Sequence, residues 1–338
     1  MKKKLFIVVL GLFLFIPILN VKADTIELTQ AMFDAAKNNE AGAPDYISYE
    51  SHDYTINADN GSYDFILGEN INLGEDINFI NGTYNLNLNG KLLNCRSFYA
   101  NTVNMVISGN GTVSGHAGFD YSNVTIMNGT FNNYISGWGT KLIIEDATVY
   151  SDETEYAIDV NSNSEFEFRG GTYTVSEVGN SKDNSAAVRV KHSEAKIVVK
   201  GGHFSGGKYG IYTETSEAEG IKLLGGTFEG TEAAINILGF GLSNYTNDKT
   251  LETLLAEGYM YSPSMTIVNE ASTNGYNYNS YTKEKTLEVV KKPEEPVSEE
   301  TSSEEVKTKN PKTSDSIINY VLITILCITS LIIIKKTQ

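Results

Sequence analysis

Residues 197–237 read IVVKGGHFSGGKYGIYTETSEAEGIKLLGGTFEGTEAAINI, and one pattern is written twice within them. A short apolar run (Ile197-Val198-Val199, then Ile221-Lys222-Leu223-Leu224) leads into Gly201-Gly202-His203-Phe204 and again into Gly225-Gly226-Thr227-Phe228. Polar residues follow each time, then a strand of small and apolar residues: Tyr209-Gly210-Ile211-Tyr212 in the first copy, Ala233-Ala234-Ile235-Asn236-Ile237 in the second.

Upstream the same phrase recurs as Asn81-Gly82-Thr83-Tyr84, Asn110-Gly111-Thr112-Val113, Asn128-Gly129-Thr130-Phe131, Asp146-Ala147-Thr148-Val149 and Gly170-Gly171-Thr172-Tyr173. The second residues of the seven copies are 29, 18, 18, 24, 31 and 24 positions apart. Lead-in strands (Leu142-Ile143-Ile144, Phe166-Glu167-Phe168) and second strands (Tyr156-Ala157-Ile158-Asp159-Val160, Ala186-Ala187-Val188-Arg189-Val190) accompany several of them. Repeats of this length mean a stacked architecture in which no single repeat buries its own apolar face. Glycine serves turns with positive φ, while Thr, Val, Tyr and Phe suit pleated strands. The Leu-x-x-Leu-x-Leu frame of leucine-rich repeats is absent, and an antiparallel sandwich would carry hairpin turns instead of one repeated turn chemistry.

The expected fold class is therefore all-β, a parallel β-helix. Residues 50–240 resemble right-handed parallel β-helix proteins of the pectate-lyase-like kind, with the Gly-Gly-Thr-Phe copies as the most specific feature. Nine to eleven coils stacked at ~4.8 Å would make a rod about 45 to 50 Å long.

An open solenoid end exposes a sheet edge and needs a cap. Leu28, Ala31, Met32 and Ala35 predict an amphipathic cap helix within residues 24–50, ahead of the repeat region 51–240. In the C-terminal cap, 241–290, residues 250–261 predict a short helix, with closing strands at 265–268 and 286–290.

Both termini carry targeting patterns. Lys2, Lys3 and Lys4, the apolar run from Leu5 to Leu19, and Val21-Lys22-Ala23 predict a signal peptide over 1–23 cleaved after Ala23. At the other end residues 316–334 predict a transmembrane helix, followed by the basic cytoplasmic tail 335–338, so the preceding chain faces outward. Residues 291–309, KKPEEPVSEETSSEEVKTK, read as a disordered acidic stalk.

Between stalk and span, within 310–315, Asn310-Pro311-Lys312-Thr313-Ser314 resembles a Gram-positive sortase sorting signal of a variant Asn-Pro-x-Thr type. Pro311 and Thr313 match the better-known Leu-Pro-x-Thr-Gly motif, while Asn310 and Ser314 depart from it. The resemblance implies cleavage after Thr313, transfer to peptidoglycan, and sortase as a partner. Plain retention in the membrane by the C-terminal helix is the alternative.

The chain has 26 Lys and Arg against 42 Asp and Glu. Setting aside the six lysines outside Asp24–Asp315 leaves 20 cations against 42 anions, a formal charge of −22. Such a surface repels nucleic acid, so no nucleic-acid partner is expected. Of the two cysteines, Cys95 lies in the head and Cys327 in the terminal apolar run, so the head has no internal disulfide and depends on packing.

The residues that could carry polysaccharide chemistry are Asp146, Asp152, Asp159, Asp183, Arg169, Arg189, Lys191 and His192. Arg189-Val190-Lys191 has the Arg-x-Lys spacing of some β-helix hydrolases, without their paired aspartates, and no catalytic residue is assigned. His52, His116, His192 and His203 show no metal-ligand spacing. No cofactor is called for, and no residue cluster in the sequence supports calcium. Tyr276, Tyr278 and Tyr281 suit either strand packing or stacking on sugars. The expectation is an adhesin-like surface protein whose head binds glycans or proteins. The alternatives are a polysaccharide lyase or glycoside hydrolase, and a surface rod without a ligand.

Overall fold

A computed structural model describes residues 25–152, 154–176, 184–192, 194–214, 220–240, 251–271 and 277–293. The chain divides into two units, 1–292 and 293–338. The predicted signal peptide, most of the stalk, the sorting motif and the terminal span lie outside the described residues. Among those described, no helix is long and apolar enough to cross a membrane.

Among its described residues the first unit is all-β apart from one α-helix and one 3-10 turn, and its strands join in a single, mostly parallel sheet wound into a solenoid. Three parallel ladders run the length of the winding, here called faces A, B and C in the order the chain visits them. On face A the inward row passes through Ile26, Phe65, Leu86, Ile107, Ile126, Ile144, Phe168, Val199 and Leu223. Face B stacks Ile71, Leu93, Val113, Phe131, Val149, Tyr173, Phe204 and Phe228. Face C stacks Tyr54, Ile77, Phe98, Ala117, Ile135, Ile158, Val188, Ile211 and Ile235. Almost every one of these residues is buried, and a fully buried side chain of this size contributes about 1.5–3 kcal/mol.

The repeated Gly-Thr-aromatic phrase is the turn from face A into face B. Its Thr N–H donates to the carbonyl of the second residue of the preceding copy: Thr130 to Gly111, Thr148 to Gly129, Thr172 to Ala147, His203 to Gly171 and Thr227 to Gly202, all at 2.8–2.9 Å. The aromatics above stack face to face, Tyr173 on Phe204 at 4.7 Å and Phe204 on Phe228 at 5.2 Å. The first copy belongs elsewhere. Thr83 and Tyr84 pair with Ser62 and Tyr63 and with Asn104 and Met105, which puts Asn81-Gly82-Thr83-Tyr84 on face A. The 29-residue step to Gly111 is therefore more than one coil, and only the steps from Gly111 onward count coils.

The corner from face C back to face A carries a row of buried hydroxyls that the repeat reading did not single out. Ser122 donates to Ala100 O, Thr140 to Phe119 O and Ser164 to Gly137 O, each reaching the preceding coil. These bonds satisfy backbone carbonyls where the strand ladder breaks.

The N-terminal helix spans Gln30–Asn38 and is followed by a hairpin, Ile47–Glu50 against Asp53–Asn57. Phe33, with Met32 and Ala36 beside it, faces the core, whereas Ala31 is exposed. Leu28 lies in the strand Thr25–Leu28, the first of face A, so it belongs to the winding and not to the helix. At the far end the helix expected over 250–261 is reduced to a single 3-10 turn, Glu252–Leu254, before a strand at Tyr259–Ser262. The physical reason is the edge to be covered. Thr286–Lys291 pairs antiparallel with the last strand of face B, and Tyr259–Ser262 pairs with it in turn. Asn277–Thr282 covers the last strand of face C, while on face A the Ala256 N–H donates to Leu223 O at 2.9 Å. Backbone groups in extended conformation satisfy a strand edge; a helix would leave that edge unpaired.

Candidate functional site on face C

Strand burial separates face C from the other two. On face A the strands alternate exposed and buried residues, as in Lys141–Ile144 and Glu165–Phe168. On face C, Tyr156–Val160 and Tyr209–Thr213 are buried at every position, so their outward side chains are covered as well. One outward row alternates large and small, Tyr156, Ala186, Tyr209, Ala233, which leaves each ring room over its neighbours. With Tyr212, and with Tyr281 packed alongside, these residues form a second apolar cluster outside the core.

The parallel outward row reads Tyr99, Gly118, Ser136, Asp159, Arg189, Tyr212, Asn236 and, antiparallel, Tyr281. Arg189 is its centre. Its Nε and Nη2 donate to the two carboxylate oxygens of Asp159 at 2.7 Å each, and Nη1 donates to Glu214 Oε1 at 3.3 Å. The guanidinium carbon stands 3.9 Å from the Tyr156 ring centre. Burial opposes the Arg189 charge, but the Asp159 hydrogen bonds and charge outweigh it and hold the group protonated. Burial also drives the Tyr156 and Tyr212 phenols well above their usual range, against the pull of Arg189.

Three coils before Arg189, His116 lies flat on Tyr134, ring centres 4.0 Å apart, with Nε2 at 2.8 Å from Ser136 Oγ. Burial pushes the imidazole down to about 4, opposed by Asp159 and Asp76, so it is neutral at neutral pH. Among the described residues no carboxylate hydrogen-bonds its Nδ1, so the orienting third member of a nucleophilic triad is missing there. At the corner toward face A stand two exposed rings, Trp138 at 44% and Tyr121 at 63% exposure. The Tyr121 ring lies over Gly139, where a Cβ would come within 2.7 Å of it. His192 meets Trp138 edge-on at 6.1 Å.

Of the residues singled out in the sequence, the structure brings Asp159 and Arg189 into contact and puts His192 beside Trp138, near the same face. Arg169 lies at the turn leaving face A, paired with Glu145 and Glu167. Asp146 is exposed in that turn and Asp152 is exposed before face C. Lys191 follows the Arg189 strand, and Asp183 lies outside the described residues. His52 meets Glu75 at 3.4 Å, and His203 sits in the threonine row of face B. Tyr281 donates to Glu270 at 2.8 Å; Tyr276 and the Tyr278 side chain lie outside the described residues. Buried Cys95 donates to Ser114 O, and burial pushes its thiol up to about 12.

Sequence reading missed Tyr156, Tyr209, Tyr212 and Glu214. Aligning the four second strands by their central Ile or Val would have placed the first three in two outward columns, Tyr-Ala-Tyr-Ala and Asp-Arg-Tyr-Asn. Among the described residues no group of three or more His, Cys, Asp or Glu side chains is placed to hold a metal ion. A cavity of about 560 Å³ lies away from face C, between Glu252, Tyr259, Met265 and Lys292 of the cap. Compared with family models, with curated proteins and with solved structures, the chain matches none.

Proposed function

We propose that this chain is an exported surface protein, anchored by sortase through Thr313 or held by its terminal span, whose head is a right-handed parallel β-helix that binds glycans on face C. The handedness follows the rule for crossovers between parallel strands of one sheet, which the A to B to C winding repeats in every coil. The surface location rests on the terminal motifs.

The observation that carries the binding reading is the pair of exposed rings, Trp138 and Tyr121, at the corner of face C. Aromatic rings offer apolar faces to sugar C–H groups. Asp159 and Glu214 both engage Arg189, which favours recognition over acid–base work, where a carboxylate has to exchange a proton with substrate.

The test is retention of a polysaccharide panel on the purified protein, with and without calcium, scoring release of new reducing or unsaturated ends in the same tubes. Retention without products, weakened at least ten-fold in Trp138→Ala, supports the reading. New chain ends would make the protein a lyase or hydrolase, and no retention by the unsubstituted protein would sink the glycan proposal.

A further inference from the structure

Where face C ends, a cleft of about 380 Å³ opens between the last coils and the cap, lined by Tyr209, Glu232, Asn236, Glu270, Tyr281 and Lys285, among others. Asn236 is 3% exposed, and among the described residues no donor bonds its Oδ1. A buried acceptor left without a partner costs about 1–3 kcal/mol, a cost that a donor seated in the cleft would relieve. Glu232 and Glu270 stand exposed at the rim. Glu232 accepts from Tyr209 at 3.2 Å and meets Lys208 at 3.3 Å, and Glu270 accepts from Tyr281. Each carboxylate keeps acceptor capacity beyond these bonds. Lys285 is also exposed.

From this arrangement we infer that the cleft seats the ammonium group of an amino sugar, which deepens the glycan reading of face C and rests on it. An ammonium brings three donors and no acceptor, whereas a hydroxyl brings one donor with acceptors of its own. The cleft offers a complementary set: the Asn236 oxygen, two carboxylates and tyrosine rings able to hold a cation against their faces. The ligand is a glycan because Asn236 and Tyr281 continue the outward row that holds Asp159, Arg189 and Tyr212.

The experiment measures binding of a glucosamine tetramer and of its fully N-acetylated counterpart to the full-length protein at fixed ionic strength. A four-lysine peptide is run beside them. The glucosamine tetramer is expected to bind at least ten-fold more tightly than the acetylated one, and to lose that advantage as pH rises and the amines deprotonate. Asn236→Leu and Glu270→Gln should each weaken it ten-fold or more, while Glu165→Gln on face A should not; Glu270 is exposed, so its variant does not depend on a repacked interior. Equal weakening by all three would reduce the effect to the overall negative charge and overturn the assignment. Equal binding of the acetylated tetramer would overturn the ammonium site while leaving glycan binding intact. Tighter site-dependent binding of the lysine peptide would overturn the choice of a glycan, and no binding of either sugar, together with no retention of the polysaccharide panel, would remove both proposals.

Discussion

At Gly171 the backbone takes φ +93°, and a Cβ there would lie 2.3 Å from the carbonyl oxygen of Ala147 in the preceding coil. Two demands coincide, a left-handed turn and coil-to-coil contact. Gly74 has φ +64° with nothing within 4 Å of a Cβ, so it carries the first demand alone. Gly74→Ala should cost about 1–2 kcal/mol, and Gly171→Ala clearly more, because backbone must move; urea denaturation of the two variants checks the order. His116 supports a second residue-scale prediction. Its folded pKa of about 4 lies below the ordinary value of 6.5, so between those pH values the unfolded chain takes up a proton that the folded chain refuses. Stability falls as pH drops through that window. Carboxylates held low by partners, such as Asp76 beside Arg96 and Glu167 beside Lys200, add to the loss in the same direction. Comparing His116→Gln with the unsubstituted protein isolates the imidazole: the loss from pH 7 to 4.5 should be smaller in the variant by about 2 kcal/mol. No sequence spacing marked His116, because its burial comes from Tyr134 and Tyr99 on neighbouring coils.

Among the elements, the C-terminal strands do work that the repeat leaves undone. Thr286–Lys291 and Asn277–Thr282 run antiparallel to the final strands of faces B and C and occupy backbone groups that another coil would otherwise pair. Truncation after Phe240 should convert the protein into concentration-dependent multimers through those edges, read by light scattering across a dilution series; a stable monomer would show that the edge is protected in another way. Of the closing strands expected at 265–268 and 286–290, the second is Thr286–Lys291, whereas the first is displaced to Ile267–Ala271. The helix expected at 250–261 does not form: residues 251–261 hold apolar residues at helical spacing, and only contact with the open end of face A and the strand Thr286–Lys291 selects a 3-10 turn and a strand instead. The N-terminal helix was legible from its periodicity, but the choice of Phe33 as its buried residue depended on where the Tyr54 ring lies, edge-on at 5.4 Å.

For the whole molecule, the terminal motifs and the head make separate predictions. If sortase accepts Asn310-Pro311-Lys312-Thr313-Ser314, mass spectrometry of the wall-released protein should find the new C-terminus at Thr313; recovery of the intact 316–334 segment would leave membrane retention as the anchoring mode. What the sequence determined alone was the repeat and its chemistry. A glycine that must turn, a threonine and an aromatic at fixed order are local requirements, and any fold containing them must stack one copy on the next. Alignment of side chains between coils was decided only in three dimensions. Asn81-Gly82-Thr83-Tyr84 shares the phrase yet lies on face A, since register is set by which rows can be buried together. Arg189 meets Asp159 across 30 residues, and Asn236 meets Tyr281 across 45, through ladder pairings that no local signal encodes. The turns were written in the sequence because their energetics are local; the site was not, because its contacts exist only once separate coils lie side by side.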